Sequence, residues 1–196
     1  PELRRQLIMN ILNDDPSRYM ELLEKARLNE DVEVVHYAIT AMVELSKEYD
    51  YRLQKIENKY TNDPDDPVVL EEYCDFLKEY LSQGFMEKQM EQIYRNQYTQ
   101  LLLKQLEQKV NLHTCVCLME NLMVQRDFFL AEKILKIMDQ NWHRGEEYWI
   151  WKIRYLAERK MGKELKQSLQ ALKEEHIYLS SRGKEALGFW LDGSKK

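Results

Sequence analysis

Hydrophobic positions recur every three or four residues from Asp31 to Tyr60, a stretch that contains no glycine or proline. This spacing is that of an amphipathic helix. One apolar stripe runs along the whole stretch and comprises Val32, Val35, Ile39, Met42, Tyr49, Leu53, Ile56 and Tyr60. A second stripe occupies only the first half and comprises Val34, Ala38, Ala41 and Leu45. The pattern predicts the longest helix of the chain, covered on two sides before Ser46 and on one side after it.

Shorter stretches with the same period lie on both sides of this helix. Before it, the apolar positions predict helices over Glu2 to Asn13 and Pro16 to Leu28. After it, they predict helices over Val68 to Ser82, Phe85 to Lys109, Leu112 to Gln125, Asp127 to Gln140, Glu146 to Met161, Lys163 to Glu175 and Leu179 to Leu191. With 6 glycines and 4 prolines in 196 residues, few positions interrupt helical propensity. The chain is therefore predicted to be all-α, with about ten helices.

The strongest interruption is the segment from Thr61 to Pro67, which holds two prolines and three aspartates. Its acidity raises the alternative of a calcium-binding loop. The spacing of an EF-hand, with a central glycine and a terminal glutamate, is missing. A capping residue, Asp66, followed by Pro67 at the first helical position accounts for the same sequence. We therefore predict a helix start here instead of a metal site.

The C-terminal helices come in pairs whose spacing resembles a tetratricopeptide repeat. In the first pair, the core positions of the two helices are occupied by Leu118, Leu122, Ala131 and Leu135. Three residues depart from the repeat pattern: Arg126 stands in place of glycine, Met119 in place of a small residue and Met138 in place of alanine. A second, weaker pair follows Gly145. The predicted fold is a helical-repeat solenoid of tetratricopeptide- or HEAT-like antiparallel helix pairs.

We predict one continuous array with three parts. Residues 1–62 form N-terminal helices that include the long helix, and residues 63–110 form a central helix pair. Residues 111–192 form degenerate tetratricopeptide-like repeats with a capping helix. A chain of 196 residues with 44% hydrophobic residues is long enough to build the core that such an array needs.

Charge and hydropathy limit the classes of partner. The formal net charge is −5 and no run of Lys or Arg occurs, which argues against nucleic-acid binding through a basic face. No apolar segment approaches the roughly 18 residues needed to span a bilayer. The chain starts at Pro1, which indicates a soluble fragment whose membrane segment, if any, lies upstream. The 3 cysteines, Cys74, Cys115 and Cys117, are expected to be buried thiols in a reducing compartment.

Residues that could support catalysis do not form a recognisable site in the sequence. The four histidines, His36, His113, His143 and His176, have no partner at zinc-ligand spacing and are expected to be structural or solvated. There is no glycine-rich phosphate loop and no serine nucleophile motif. We therefore expect no metal, no cofactor and no enzymatic activity.

One helix carries a stripe whose composition suits recognition of another protein. Tyr148, Lys152, Tyr155 and Arg159 follow helical spacing beside the core residues Trp149, Ile153 and Leu156 of the same helix. In helical repeats, the first helix of each pair lines a curved face that binds peptides or partner helices. We predict that the stripe binds a partner and that the core residues hold the fold. In the alternative interpretation, the tyrosines pack between helices and the cations are solvated. The exposed half of Tyr49 to Tyr60 is the next candidate surface.

Several stretches together resemble a known family. The sequence DVEVVHYA from Asp31 to Ala38, the DPDDP segment, the helix from Leu70 to Gly84 and the degenerate repeats are similar to the soluble region of the PelE family, a component of Pel exopolysaccharide machines. The resemblance covers roughly Asn29 to Leu191. It implies an inner-membrane protein in which hydrophobic helices precede a cytoplasmic repeat domain. It also implies assembly with the cyclic-di-GMP receptor PelD, the glycosyltransferase PelF and the transporter PelG.

The expected function is therefore a non-catalytic scaffold within a membrane-associated exopolysaccharide complex. A peptide-binding helical-repeat adaptor or chaperone from an unrelated system is the alternative. A small-molecule enzyme would require a convergent polar pocket, which the sequence does not display.

Overall fold

The computed structural model describes residues 16–84 and 86–193. Within these ranges the chain forms nine α-helices and no strand, which confirms the all-α prediction. The helices are α1 (Pro16–Ala26), α2 (Val32–Asn62), α3 (Pro67–Ser82), α4 (Lys88–Gln108), α5 (Leu112–Gln125), α6 (Phe128–Trp142), α7 (Glu146–Glu158), α8 (Gly162–Glu174) and α9 (Ser181–Gly193). The helix predicted over Glu2 to Asn13 lies outside the described residues. None of the nine helices has both the length and the apolarity required to cross a bilayer.

The chain divides into two compact units, Pro1–Leu101 and Leu102–Lys196, and the division falls within α4. In the first unit, α2 packs against both α1 and α3. In the second unit, α7 packs against α5, α6, α8 and α9, and α5 also packs against α6. Helix α7 is therefore central to its unit. The three-part division and the continuous array expected from the sequence stay predictions.

Helix α2 is the longest helix described, as predicted, and runs without a break through Ser46. The side chain of Asp31 caps its start by accepting a hydrogen bond from the Glu33 amide at 2.8 Å. The helix buries a single stripe: Ala38, Ala41, Leu45, Tyr49 and Leu53. The two-sided burial predicted for its first half is wrong, because Val32 is 79% exposed and Ile39 is 46% exposed. Among the described residues, the neighbouring helices bury the side that carries the alanines, whereas Met42 of the other stripe is half-buried against Met20 and Leu45.

We expect Ala41→Leu to lower the free energy of unfolding by about 1 to 3 kcal/mol, because Ala41 is buried and a larger side chain would overpack its site. Val43→Leu is the matched control, since Val43 is exposed on the same helix. Urea unfolding followed by circular dichroism measures both variants. An Ala41→Leu variant as stable as the parent would show that space remains beside this residue.

The turn between α2 and α3 has the predicted geometry. The side chain of Asp66 accepts a hydrogen bond from the Val68 amide at 2.8 Å, and Pro67 is the first residue of α3. This confirms the capping interpretation of the acidic segment. Beyond the end of α3, Gly84 has a φ of +70°, a left-handed conformation that glycine adopts readily.

Three turns in the second unit place a non-glycine residue in the left-handed region. Arg126 has a φ of 59°, Lys160 of 57° and His176 of 52°. Arg126 follows α5, where the repeat pattern has glycine, and Asp127 then caps α6 through its side chain. The left-handed conformation costs about 1 kcal/mol or more for a residue with a Cβ atom. Arg126 therefore ends α5 in a conformation that is strained for a residue with a Cβ atom.

Candidate partner-binding site

The predicted recognition residues lie where α6 and α7 pack together. A shallow groove of about 160 Å³ runs between these helices, and we call it the α6/α7 groove. Its α7 side is lined by Tyr148, Lys152, Tyr155 and Leu156. Its α6 side is lined by Glu132, Leu135, Lys136 and Asp139. Three of the four predicted residues thus line one groove, and their helical spacing places them in a row along it.

The two tyrosines of the groove are buried between the helices. Tyr148 is 3% exposed and Tyr155 is 5% exposed. The ring of Tyr155 meets that of Phe128 edge to face, with 6.1 Å between the ring centroids. Both tyrosines therefore contribute to packing while their accessible parts line the groove. The alternative interpretation from the sequence, in which the tyrosines pack between helices, is therefore correct for their aromatic rings.

The two cations differ in their surroundings. Lys152 is half-buried, and its Nζ lies 5.1 Å from the ring centroid of Tyr148 and 4.7 Å from that of Trp149. Arg159 is exposed, and its Nη1 donates a hydrogen bond to the Tyr155 hydroxyl at 3.0 Å. Its guanidinium carbon also lies 5.7 Å from the ring centroid of Phe128. Both cations are therefore held on aromatic faces with their charge toward the surface.

One of the four histidines that the sequence predicts to be structural or solvated, His143, joins the end of the groove to α8. The Nδ1 of His143 lies 2.5 Å from Asp139 Oδ1, and its Nε2 lies 2.7 Å from Glu175 Oε2. The backbone carbonyl of His143 accepts a hydrogen bond from Trp149 Nε1 at 2.7 Å. Asp139 and His143 are four residues apart on one helix face, a signal that sequence reasoning could have used. Glu175 follows 32 residues later and was not detectable from spacing.

The hydrogen bonds at His143 shift the protonation of this cluster. The bonds to Asp139 and Glu175 raise the pKa of His143, because both partners favour the imidazolium. Burial raises the pKa of the Asp139 carboxyl, but the hydrogen bonds from His143 and Tyr148 outweigh it, so that the pKa is lowered. Burial, followed by the hydrogen bond to Asp139, raises the pKa of the Tyr148 hydroxyl. The cluster thus favours a protonated histidine between two carboxylates.

The chain was compared with protein-family models, with curated proteins and with solved structures. None of them matches.

The titratable groups around the groove already have partners. Both ring nitrogens of His143 already face carboxylates, so neither is free to take a proton from a substrate. Glu132 is engaged by Lys136 at 2.9 Å, which lowers the pKa of this carboxyl. In the part of the chain that the structure describes, no three His, Cys, Asp or Glu side chains converge as metal ligands would.

The predicted core residues Trp149, Ile153 and Leu156 are all buried.

Proposed function

We propose that this chain is a helical-repeat scaffold that binds other proteins without catalysing a reaction. Its place would be a Pel exopolysaccharide complex at the cytoplasmic face of the bacterial inner membrane, with PelD, PelF or PelG as partners. The sequence similarity of the DVEVVHYA and DPDDP stretches to the PelE family supports this assignment. The upstream membrane segment implied by that family would anchor the scaffold.

The packing of the second unit supports a repeat architecture. Helices α5 and α6 pack as one pair, and α7 and α8 pack as the next. The first helices of the two pairs, α5 and α7, also contact each other, as they do when tetratricopeptide units stack. We propose that these two pairs are consecutive degenerate repeats and that α9, which packs against α7, caps them.

The observation that carries the binding proposal is the row of groups along the α6/α7 groove. It combines apolar area from Leu135 and Leu156 with Lys152, which is held on the Tyr148 ring, and with Arg159, which does not line the groove but lies on the ring of the groove residue Tyr155. The contacts with aromatic rings restrict the rotamers of these two cations before a partner binds. The loss of side-chain entropy on association is therefore smaller. Aromatic and arginine residues are also the residue types that dominate binding energy at protein interfaces.

The test is capture of purified PelD, PelF and PelG, each assayed separately, by the immobilised chain. We expect one of them to bind, and we expect Arg159→Glu to weaken that binding about tenfold, because it replaces an attractive charge with a repulsive one. Arg159 is exposed, so the melting temperature should change by no more than about 2 °C. Lys152→Gln is the second variant, chosen instead of a charge reversal because Lys152 is half-buried beside Asp139.

Lys163→Glu on α8 is the matched control. It makes the same change of charge at an exposed position of the same unit, outside the α6/α7 groove, and should leave capture unchanged. Capture that survives both Arg159→Glu and Lys152→Gln would refute the assignment of the groove. If none of the three Pel subunits binds, the family assignment fails and an adaptor of another system replaces it.

A further inference from the structure

A second groove, in the first unit, differs in charge from the rest of the chain. It lies between α2 and α3, has a volume of about 330 Å³, and is called here the α2/α3 groove. It is lined by Arg52, Lys55, Ile56, Lys59, Glu72 and Phe76. Three cations and one carboxylate thus line this groove, although the chain as a whole has a net charge of −5. A local excess of positive charge in an acidic chain selects for an anionic ligand.

Ion pairs occupy the two ends of the α2/α3 groove, and the cation in its middle forms none with the part of the chain that the structure describes. At one end, Arg52 Nη1 lies 3.5 Å from Glu79 Oε1. At the other end, Lys59 pairs with Glu72. Lys55 lies between these cations on α2, and no carboxylate among the residues described pairs with it. The central ammonium group is therefore available to a ligand.

The same groove has an apolar floor beside the cations. Phe76 is 8% exposed, and the Arg52 guanidinium carbon lies 5.3 Å from its ring centroid and 5.3 Å from that of Tyr49. The Tyr49 hydroxyl donates to Glu79 Oε1 at 2.8 Å, so the carboxylate that pairs with Arg52 is itself held in place. Arg52 is thus oriented before any ligand arrives, and an apolar side chain of the ligand would meet Ile56 and Phe76.

We propose that the α2/α3 groove binds an acidic segment of a partner protein, with a carboxylate on Lys55 and an apolar side chain over Ile56 and Phe76. A free phosphate would use the cations but not the apolar floor. Two copies of this chain, each with a net charge of −5, would repel each other, which favours a different protein as the partner. The α6/α7 groove belongs to other helices of the other unit, so this proposal stands or falls independently of that one.

The experiment uses the full chain of 196 residues and three fluorescein-labelled peptides, with binding measured by fluorescence anisotropy. One peptide consists of glutamates interrupted by two phenylalanines, the second replaces the phenylalanines with glycine, and the third replaces the glutamates with lysine. We expect the glutamate–phenylalanine peptide to bind best and its affinity to fall as sodium chloride is added. Lys55→Glu should raise its dissociation constant about tenfold, and Lys55→Gln should raise it less.

Lys47→Glu is the matched control, because Lys47 is exposed on the same helix but does not line the groove. It should change the dissociation constant by less than about twofold. The proposal is overturned if the glutamate–phenylalanine peptide does not bind, if the lysine peptide binds equally well, or if Lys47→Glu weakens binding as much as Lys55→Glu. Inorganic phosphate that competes as strongly as the peptide would make the groove an anion site instead. A dimer in sedimentation equilibrium that Lys55→Glu dissociates would assign the groove to a second copy and would also overturn the proposal.

Discussion

Replacing Trp149 with alanine is expected to lower the free energy of unfolding by about 3 to 5 kcal/mol. The Trp149 side chain is 1% exposed on α7, the helix that packs against four others in its unit. Its ring meets those of His143 and Tyr148, with centroid separations of 5.5 and 5.4 Å. Its Nε1 donates to the His143 carbonyl, which would lose this donor in the variant. Urea unfolding followed by far-ultraviolet circular dichroism gives the change.

Trp142→Ala provides a control of equal size. Trp142 ends α6 and is half-exposed, so the same truncation should destabilise the chain by clearly less. Trp149→Phe separates the two contributions, because it keeps most of the apolar ring but removes the donor to His143. Equal losses for Trp149→Ala and Trp142→Ala would contradict the central role assigned to Trp149.

Above pH 10, the first unit is expected to lose stability with a slope that rises to at most about 1.4 kcal/mol per pH unit for each of two buried tyrosines. Burial, followed by the charge of Glu57, raises the pKa of Tyr73. Burial, followed by the hydrogen bond to Asp50, raises the pKa of Tyr80. An unfolded chain ionises its tyrosines near pH 10, whereas the folded chain keeps these two protonated. Their contribution is therefore complete below pH 10 and is lost as the pH rises toward their folded pKa values.

The pH dependence is measured by urea unfolding at pH 9, 10 and 11. The double variant Tyr73→Phe, Tyr80→Phe should flatten the decline above pH 10, because phenylalanine does not ionise. Its stability at pH 9 should be lower than that of the parent, since Asp50 and Glu57 lose their hydroxyl donors. Tyr51→Phe, at a side chain that is 63% exposed, should leave the decline in place. An undiminished decline in the double variant would assign the effect to other groups.

The helices could be predicted from the sequence because their signals are local. Asp66 and Pro67 start α3 through contacts within a single turn, and the apolar period of α2 continues past Ser46 as expected. Such features depend on neighbouring residues alone, so no knowledge of the tertiary fold is required.

The choice between the two stripes of α2 could not be made from the sequence. Ile39 and Ala38 are adjacent residues on neighbouring sides of one helix, and both belong to apolar stripes. Ala38 is buried and Ile39 is 46% exposed, because the neighbouring helices cover the side that carries Ala38. Hydrophobic periodicity identifies residues that share a face, but the path of the chain decides which face is covered.

The candidate site was predicted in part for the same reason. Tyr148, Lys152 and Tyr155 share a face through their spacing on α7, and the structure places them along one groove. Their opposite side, formed by residues of α6, required knowledge of helix packing. The contact between His143 and Glu175 likewise depends on where α8 ends. Their use by a partner remains a prediction.

The burial of all three thiols gives each unit a built-in chemical reporter. Cys74 lies in the first unit, whereas Cys115 and Cys117 lie in the second, and all three side chains are buried. Burial raises the pKa of Cys115 to about 11, so little thiolate is present at neutral pH. An alkylating reagent reacts with the thiolate, and it can reach a buried sulfur only after a local opening of the structure. The rate of alkylation therefore depends on how often that opening occurs. The alkylation rates of the native cysteines, resolved by peptide mass, therefore report the opening of the two units separately, without any introduced label.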